Sequence, residues 1–569
     1  MSDSVLFSTP SAFVSLDATT TVDTALSALI LTQRVDEAPP EQTEASSLQP
    51  IIERGIQFPV DATLTGANTH VVSANDLQKL VNMGLGKLPV SAVGIPASSP
   101  ILRTQTIALQ RQQSIRNDLA HYLPRHLIAA LMELQSILVR GGFKAYVVGG
   151  YVRDMLLYQD KYLREVDDVD LTVEGDALQL AQYVAAHSRN VTVLERFPEF
   201  GTVKLLYKDT LHFDVASTRE EHYPHCGALP VVTERGVPLP ADLVRRDFTA
   251  NALAMAIHDL GEVLDYANGI ADIEHRKIRV LHPLSFFEDP SRILRAFKFL
   301  VRLDFQLTDA TQHLLEQFLA HGAPYYAGGG ERIRYELEQF LISYEGGVKH
   351  HWLGYFQHTG SYRLMHMATP APTPAASSPF PIPLAELTTY AQPVLDSVFP
   401  DWANDPVFLY RLYMIWLTHV WPAKTVEKLA HRLSIPKADK DAMALFAEHS
   451  ATPEGMPFAH LTPDSEPEAI LDAFGGLKVH TLVALAIRYC YTQQLPQATL
   501  QAYCEMIHTF RKRYQEVVLE LNGTDLMEMG FPEGEGIGQV LKQLRLAKLR
   551  GQLPTREAEI AFVRQQLLV

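Results

Sequence analysis

Apolar and polar positions alternate with two different periodicities, those of helices and of strands, and both become clear from about residue 118. HLIAALMELQSILVR (126–140) carries apolar residues at helical spacing and is followed by two glycines, which predicts a helix with a glycine stop. The next run, AYVVGG, is typical of a short buried strand, and YVRDMLL after it of a helix start. Further strands are predicted at 169–173, 202–207 and 211–216, with a helix at Ala177–His187. Mixed strands and helices of this kind indicate a small α/β head.

Beyond Asp289 the pattern predicts helix almost to the C-terminus. A Pro/Ala/Ser-rich linker interrupts it at 368–383, and the Gly-rich stretch Gly530–Gly538 predicts a turn between helices. Residues before about 118 are rich in Ser, Thr, Ala and Pro, and we expect the first 50 to be largely disordered. The expected organisation is a poorly ordered or remnant N-terminal region (1–117), a head (118–260), a helical neck (261–350), a helical body (351–515) and a helical tail (516–569).

Composition narrows the class of protein. Of the 569 residues, 47% are hydrophobic and 20% charged, as in ordinary globular proteins, and no apolar run approaches a membrane span. The N-terminus lacks the basic and apolar segments of a secretory signal, and three scattered cysteines favour neither a disulfide framework nor a zinc site, so we expect a cytoplasmic protein. A net charge of −16 argues against a general coat of nucleic acid but allows a local basic groove.

The first candidate chemistry is a pair of carboxylates. Asp168 and Asp170 alternate along a predicted strand, so their side chains share a face, and Asp214 in a later strand offers a third carboxylate. Closely spaced like charges favour a bound cation, and Mg²⁺ prefers carboxylate oxygens. The pattern suits two-metal phosphoryl transfer. The alternative is a group of solvated loop acids in an acid-rich stretch.

A glycine pair stands between the predicted strand and the helix that follows it. Gly149 and Gly150 would let backbone N–H groups approach an anion at the helix start, and Arg153 would meet a triphosphate oxygen. The alternative is a plain tight turn.

Arg245, Arg246 and Asp247 precede the apolar run ANALAMAI, which we interpret as a helix. Paired arginines and an acid at a helix start are suited to a phosphate and a ribose hydroxyl. The alternative is a capped helix with a solvated basic end, in which Asp247 is the N-cap.

Asp289, Arg292 and Arg295 lie three residues apart around Pro290, which marks a helix start. An Asp and an Arg so placed offer donors and acceptors that match the Watson–Crick edge of a base. A nucleotide could then be chosen without a nucleic-acid template. The alternative is an i, i+3 surface ion pair.

With these elements in this order, the sequence resembles the class II tRNA nucleotidyltransferases and bacterial poly(A) polymerases. The resemblance covers about 118–345 and rests on AYVVGGYVRDMLL, DVDLTVEGD, DVASTREEHY, DLVRRDFTANALA, IRVLHPLSFFEDPSRILRAFKF and ERIRYELEQFL. It implies an α/β nucleotidyltransferase head with a mixed sheet, followed by an all-helical neck, body and tail.

The resemblance also implies roles for single residues. Gly149, Gly150 and Arg153 would hold the triphosphate, Asp168 and Asp170 two Mg²⁺ ions, and Asp214 would complete the carboxylates. Arg246 and Asp247 would serve phosphate and ribose. Asp289 and Arg292 would select the base, with support from Arg295.

Two positions depart from the usual family pattern. Asp167 precedes the acidic pair, and strand alternation predicts that it faces away from the metals. Lys298 stands where relatives often have Arg, which puts a direct role in base selection in doubt. Within the family, the sequence most resembles the bacterial subgroup that carries DHH and CBS domains upstream of the head. The region before 118 is too short for those domains, and the segment NDLQKLVNMGLGKLPV (75–90) resembles their junction with the head.

The expected reaction is attack of a tRNA 3′ hydroxyl on the α-phosphate of ATP or CTP, which adds CCA or its terminal A. The alternatives are a poly(A) polymerase, an antibiotic- or protein-modifying nucleotidyltransferase and a catalytically silent RNA-binding protein. The expected partners are tRNA and nucleoside triphosphates, with no membrane and no protein partner. Candidate tRNA contacts, which are equally compatible with a solvated helix face, are Arg511, Lys512, Arg513, Lys542, Arg545, Lys548 and Arg550.

Overall fold

The computed structural model describes residues 13–15, 21–23, 25, 55–59, 69–89, 92–93, 95–96, 111–158, 166–322, 326, 330–342, 361, 364, 384–403, 405–418, 423–475, 477–516, 518–532 and 534–567. The chain divides into two compact units. The first is Met1–Glu336 with Tyr355–Ala371, and the second is Leu337–Gly354 with Pro372–Val569.

The first unit contains all the strands that the structure describes. In chain order they are β1 (Phe13–Ser15), β2 (Gly55–Pro59), β3 (Thr69–Ser73), β4 (Ile95–Pro96), β5 (Arg111–Ser114), β6 (Ala145–Val148), β7 (Asp168–Val173), β8 (Val191–Phe197), β9 (Thr202–Tyr207), β10 (Leu211–Ser217), β11 (Arg219–His222), β12 (Val231–Arg235), β13 (Leu253–Ala256), β14 (Glu262–Asp265), β15 (Lys277–Ile278) and β16 (Gln306–Leu307).

Its helices are α1 (Ala74–Asn82), α2 (Leu119–Tyr122), α3 (Arg125–Gly141), α4 (Gly150–Tyr158), α5 (Ala177–His187), α6 (Leu239–Val244), α7 (Gly269–Glu274), α8 (Ser285–Glu288), α9 (Ser291–Leu303), α10 (Asp309–Gln317) and the first part of α11 (Gly330–Ile342). Two short 3₁₀ turns, Arg116–Asp118 and Thr249–Asn251, and a π-turn, Phe318–Gly322, complete it.

An eight-stranded mixed sheet forms the head, in the order β5-β14-β13-β6-β7-β10-β9-β8. Every residue of the central strands β6 and β13 is buried, whereas β9 alternates between buried and more exposed positions. Continuous burial means that both faces of the sheet centre are covered. Strands β7 and β10 run parallel, in a register that places Asp170 beside Asp214.

The predicted α/β head is confirmed, and most of its predicted elements lie within a residue or two of the observed ones. One prediction was wrong. ANALAMAI is not a helix: after the short turn Thr249–Asn251, Leu253–Ala256 form strand β13 between β6 and β14. Its small alanines pack closely in the sheet core against Tyr146 and Leu239, and a short, wholly apolar run does not distinguish a buried strand from a helix.

The N-terminal region contributes a second sheet, in the order β1-β2-β3-β4, and the helix α1. Strand β5, which the sequence assigns to this region, is an edge strand of the head sheet and pairs with β14. The head sheet therefore begins at Arg111. Most of the first 50 residues, whose disorder was predicted, lie outside the described residues.

The described part of the second unit is helical. Its helices are α12 (Leu384–Val398), α13 (Pro400–Ala403), α14 (Pro406–Leu417), α15 (Ala423–Arg432), α16 (Lys437–His449), α17 (Pro467–Phe474), α18 (Val479–Thr492), α19 (Gln497–Glu516), α20 (Gly523–Glu528), α21 (Glu535–Leu549) and α22 (Arg556–Leu567). Two short 3₁₀ turns, Pro453–Gly455 and Pro457–Ala459, lie between α16 and α17.

Two predictions for this unit concern loops. The predicted linker at 368–383 lies outside the described residues. The predicted Gly-rich turn ends earlier than expected, because α21 begins at Glu535, and Gly530 and Gly534 adopt the positive φ angles that the turn requires.

No single helix among the described residues is long and apolar enough to cross a membrane. Helices α17 and α18 are long and apolar enough only when taken together, and the chain bends by 99° between them. Helix α18 is largely buried in this unit.

Candidate active site

A polar cavity of about 700 Å³ opens in the first unit. Carboxylates, arginines and both glycines of the turn after β6 line it. The predicted site residues on its wall are Gly149, Gly150, Asp170, Arg246, Asp247, Asp289, Arg292 and Arg295. A second cavity of about 340 Å³ shares Asp170 and Arg246 with the first and adds Asp214 and Lys204. The site residues predicted from separate motifs therefore meet in one part of the molecule.

The glycine turn places the start of a helix beside opposite charges. Gly149 has φ +76°, a left-handed conformation that favours glycine, and α4 begins at Gly150. A Cβ atom at position 149 would lie 3.7 Å from both Asp170 Oδ2 and Arg246 Nη1. The first turn of α4 and the Arg246 guanidinium consequently face the same space, which is an arrangement that binds anions.

Three carboxylates lie on the neighbouring parallel strands β7 and β10. Asp168 and Asp170 are exposed on one face of β7 with Val169 buried between them, and Asp214 is opposite Asp170. Burial raises the pKa of Asp170 above its ordinary value, and the negative charges of Asp168 and Asp214 add to this while Arg246 opposes it. A divalent cation would relieve this repulsion, so the oxygen-rich donor set fits Mg²⁺.

Asp214 also forms an ion pair with a lysine side chain. Its Oδ2 atom lies 3.5 Å from Lys204 Nζ on the neighbouring strand β9. No three His, Cys, Asp or Glu side chains among the described residues stand close enough to form a ready-made metal site. Asp168 and Asp170 are therefore the core of the candidate metal site, and Asp214 stands at its edge.

Arg153 lies behind the glycine turn. It is buried at 4% exposure and does not line the cavity. Its guanidinium donates to Asp154 at 2.7 Å and to Asn251 Oδ1 at 2.6 Å, and lies 4.7 Å from the ring centre of Phe299. Arg153 thereby links α4 to the turn at 249–251. Its predicted direct contact with a triphosphate stays a prediction.

The paired arginines are anchored by an acid that the motif analysis did not single out. Asp242, which is fully buried, accepts from Arg245 Nη2 at 2.7 Å and from Arg246 Nη2 at 3.1 Å. Burial alone would raise the pKa of Asp242, but the attraction of the two guanidinium groups holds it below its ordinary value. Arg246 is thereby held on the cavity wall with its other nitrogens toward Gly149.

Asp247 is not the N-cap of a helix, as the alternative interpretation supposed. Its Oδ1 accepts from the Phe248 backbone N–H at 2.8 Å and from Asn251 Nδ2 at 2.9 Å. Its Oδ2 accepts from Arg295 Nε at 3.0 Å and Nη2 at 2.6 Å. These bonds fill the four or so acceptor positions of the carboxylate and hold Arg295 beside it. Asp247 also lines the cavity, and its predicted contact with a ribose hydroxyl stays a prediction.

Asp289 and Arg292 also have partners of their own. Asp289 Oδ1 accepts from Ser291, both backbone N–H and hydroxyl, and its Oδ2 accepts from Arg332 at 2.8 Å. Arg292, at 4% exposure, donates to Ser285 Oγ at 2.8 Å and to the Arg245 carbonyl at 2.9 Å. The alternative of an i, i+3 surface ion pair is therefore wrong, because each residue is held by other elements and both line the cavity.

Several residues on or beside the site were missed by the sequence reasoning. They are Asp242, Asn251, Ser285 and Arg332. Arg332 lies in ERIRYELEQFL, which carried the resemblance, but its partner Asp289 is 43 residues away. Lys298, whose role was doubted, does not line the cavity.

The candidate tRNA contacts of the second unit fall into different settings. Three are paired with acids: Lys542 with Asp472, Lys548 with Glu559 and Arg550 with Glu468. Arg511 stacks on Trp402, Lys512 and Arg545 are exposed, and the side chain of Arg513 lies outside the described residues.

Comparisons with known proteins bear on this geometry. Residues 145–279 match the poly A polymerase head domain. The chain is 48% identical over 177 residues to the A-adding tRNA nucleotidyltransferase of Aquifex aeolicus, covering 31% of this chain and 20% of that protein. It is 29% identical over 461 residues to the A-adding tRNA nucleotidyltransferase of Geobacter sulfurreducens, covering 79% and 48%. The chain thus spans about half the length of these relatives or less. CCA-adding enzymes also match.

The solved structure of a CCA-adding enzyme with ATP has a similar fold, with a TM-score of 0.58 at 22% identity, covering 81% of this chain and 99% of that one. The mixed head sheet and the helical remainder agree with this likeness. The resemblance seen in the sequence is confirmed: residues 145–279 match the poly A polymerase head domain, and the chain is similar to A-adding and CCA-adding tRNA nucleotidyltransferases.

Proposed function

We propose that the protein is a tRNA 3′-terminal nucleotidyltransferase that adds CCA, or its terminal A, from CTP and ATP with release of pyrophosphate. One observation carries the proposal. The glycine turn, the Arg246 guanidinium and the Asp170 carboxylate lie side by side, in the same cavity as Asp289 and Arg292. A triphosphate site, a metal-binding acid and a base-reading pair are thus combined in one pocket, and the relatives named above are tRNA nucleotidyltransferases.

Asp168 and Asp170, with Asp214 beside them, are the residues that would hold Mg²⁺. When bound, the ions lower the pKa of the attacking 3′ hydroxyl and neutralise charge on the phosphates. Within the protein, the first backbone N–H groups of α4 and Arg246 bind the triphosphate, and Asp242 keeps Arg246 in position. Asp247 and Arg153 act as positioning residues through Arg295 and Asn251.

Asp289 is the residue suited to choose between bases. Ser291 and Arg332 occupy three of its acceptor positions, which leaves about one on Oδ2. Adenine carries an amino group at C6 and cytosine one at C4, whereas guanine and uracil carry a carbonyl oxygen at the corresponding position. An acceptor held against this position favours ATP and CTP, since the carbonyl oxygen of guanine or uracil has no hydrogen to donate to it.

The test is to incubate the purified protein with Mg²⁺, one nucleoside triphosphate at a time, and tRNA ending before C, after CC, or complete. A CCA-adding enzyme extends the first two substrates, and an A-adding enzyme extends only the tRNA ending in CC. The Asp170→Asn protein is the matched control. The proposal fails if the wild-type protein extends none of these tRNAs.

A poly(A) polymerase remains the second candidate, because the family model that matches the head carries that name. The net charge of −16 favours tRNA, since weak general attraction to RNA requires a groove matched in shape. Long A-tracts on a structureless oligonucleotide would favour the poly(A) polymerase. The cytoplasm is the compartment that the tRNA activity implies and stays a prediction.

A further inference from the structure

An aromatic stack in the second unit holds one arginine in place. The Arg511 guanidinium lies 3.9 Å from the ring centre of Trp402. The Trp402 ring stacks on Phe399, at 4.7 Å and an angle of 7°, and Phe399 is buried at 2% exposure. Stacking on an indole fixes the plane of a guanidinium and leaves its edge donors available.

Arg511 differs from the predicted RNA contacts Lys542, Lys548 and Arg550 in having no acid beside it. Among the described residues it has neither an ion pair nor a hydrogen bond, and it stacks on the Trp402 ring. Lys542, Lys548 and Arg550 each have a carboxylate partner in the same unit. Burial lowers the pKa of Arg511, and no nearby carboxylate offsets this. A half-buried cation without an anion is unfavourable until an external anion reaches it.

Lys512 adds a second unpaired cation at the same place. It is exposed and has no ion pair among the residues that the structure describes. In a chain of net charge −16, cations that have no acid of their own are those able to attract a polyanion. The tail cations would first have to give up their carboxylates.

We infer that Arg511, positioned by Trp402 and Phe399, is a contact for the phosphate backbone of the RNA substrate, with Lys512 beside it, and that the paired cations Lys542, Lys548 and Arg550 are structural. This inference rests on the proposed function for the identity of the RNA as tRNA. It assigns RNA binding in the second unit to the end of α19 and not to α21.

The experiment measures binding of tRNA to the full chain over a series of salt concentrations, together with KM for tRNA and for ATP. Arg511→Gln should weaken tRNA binding roughly three- to tenfold and reduce the slope of log affinity against log salt by about one. Its KM for ATP should be unchanged. Arg550→Gln, which removes one charge from an ion pair in the same unit, is the matched control and should change binding less than about twofold.

Two further variants separate stacking from charge. Arg511→Lys keeps the charge but loses the planar fork, and should keep the salt slope while losing part of the affinity. Trp402→Leu should weaken tRNA binding as Arg511→Gln does, and thermal unfolding shows whether it folds. If Trp402→Leu does not fold, the two Arg511 variants decide.

Equal salt slopes and affinities for Arg511→Gln, Arg550→Gln and wild type would overturn the inference. The proposed function fails separately, namely if the wild-type protein adds no nucleotide to tRNA. An enzyme that adds nucleotides normally after Arg511→Gln, with unchanged tRNA affinity, would refute only the role of Arg511.

Discussion

The arginines around the cavity of the first unit and the basic residues of the second unit are held by their surroundings in different ways. Around the cavity, two guanidinium groups have partners from more than one element: Arg292 bonds to Ser285 and the Arg245 carbonyl, and Arg295 to Asp247 and Glu336. In the second unit, Lys542 and Arg550 form simple exposed ion pairs. Arg511 instead stacks on a ring.

The two kinds of surroundings have different consequences: fixed partners hold a guanidinium ready for a substrate, whereas an exposed ion pair mainly keeps charge at the surface. A guanidinium bound by several fixed partners loses little entropy when a substrate arrives, so its position is useful for catalysis. An exposed ion pair contributes about 0–1 kcal/mol to stability and is weakened by salt. Substitutions in the cavity should therefore have large and specific effects, whereas substitutions at the exposed pairs should have small ones.

The largest effect is expected at the carboxylates. Asp170→Asn should lower nucleotide addition by at least about a thousandfold in Mg²⁺, because it removes a charged ligand of the ions that activate the hydroxyl. The thermal midpoint should not fall, since the substitution removes repulsion from Asp168 and Asp214. Addition is measured as incorporation of labelled ATP into tRNA.

Asp167→Asn is the matched control for this variant. It removes the same charge one residue before β7, at a position where strand alternation predicts that the side chain faces away from the metals. Comparable losses in both variants would show that net charge matters and not the two positions on the strand.

A smaller but more selective effect is expected at Arg332. Arg332→Ala removes the ion pair to Asp289 and the bonds to the carbonyls of Gly227 and Ala228. We expect kcat/KM for ATP to fall about ten- to a hundredfold and the preference over GTP and UTP to narrow, because Asp289 is no longer held. Arg332→Lys should restore part of the preference, since it keeps the charge beside Asp289.

Arg111→Ala is the control for Arg332, because its exposed ion pair to Glu274 lies in the same unit but outside the cavity. It should leave both rate and preference unchanged. If Arg332→Ala lowers the rate equally for all four nucleotides, Arg332 supports the fold and does not position Asp289.

The same contrast explains what the sequence could predict. Strand β9 was predicted with its observed bounds because its burial alternates, and the glycine turn because a left-handed residue must stand between β6 and α4. Strand β13 was missed because Leu253–Ala256 is buried on both faces and has no period. Most of the residues that the motifs singled out line the cavity, but Arg153, Asp168 and Asp214 do not.

The hydrogen-bond and stacking partners of these residues could not be predicted from the sequence. Asp247 and Arg153 were assigned to the substrate, and the sequence did not show that they also bond to Arg295, Asn251 and Asp154. Likewise, nothing in their local sequence distinguishes Arg511 from Arg550, because a ring at position 402 and an acid at position 468 are distant in the chain. Pairing across elements depends on the tertiary fold.

The second unit should lose stability in mild acid through a buried histidine. Burial lowers the pKa of His480 to about 4, and Arg411 and Lys478 add to this. Its folded pKa lies below the ordinary value near 6.5, so the unfolded chain binds the proton more tightly. Stability should fall as pH drops from about 6.5 to 4 and level off below, by roughly 3 kcal/mol for this group.

The measurement is urea unfolding at several pH values for wild type and His480→Leu. In the variant, the free energy of unfolding should depend less on pH between 6 and 4, because the one proton that His480 takes up on unfolding is no longer bound. Asp170→Asn serves as a control from the first unit, since it should leave the slope of the second unit's transition unchanged. Parallel pH curves for wild type and His480→Leu would contradict the buried, neutral state of this side chain.

The smallest effect is expected at Lys204, and it tests whether Asp214 belongs with the metal-binding acids. Lys204 Nζ is 3.5 Å from Asp214 Oδ2, and both side chains are more than a third exposed, so the pair should contribute little to stability. Lys204→Met removes a positive charge that competes with a cation for Asp214. The concentration of Mg²⁺ needed for half-maximal addition should then fall about two- to threefold, while the maximal rate and the thermal midpoint stay nearly constant. Lys208→Met is the matched control. Lys208 directly follows the end of β9, and its replacement should not change the Mg²⁺ requirement. If Lys204→Met raises the requirement or leaves it unchanged, Asp214 lies outside the metal site, and Asp168 and Asp170 alone remain its protein ligands.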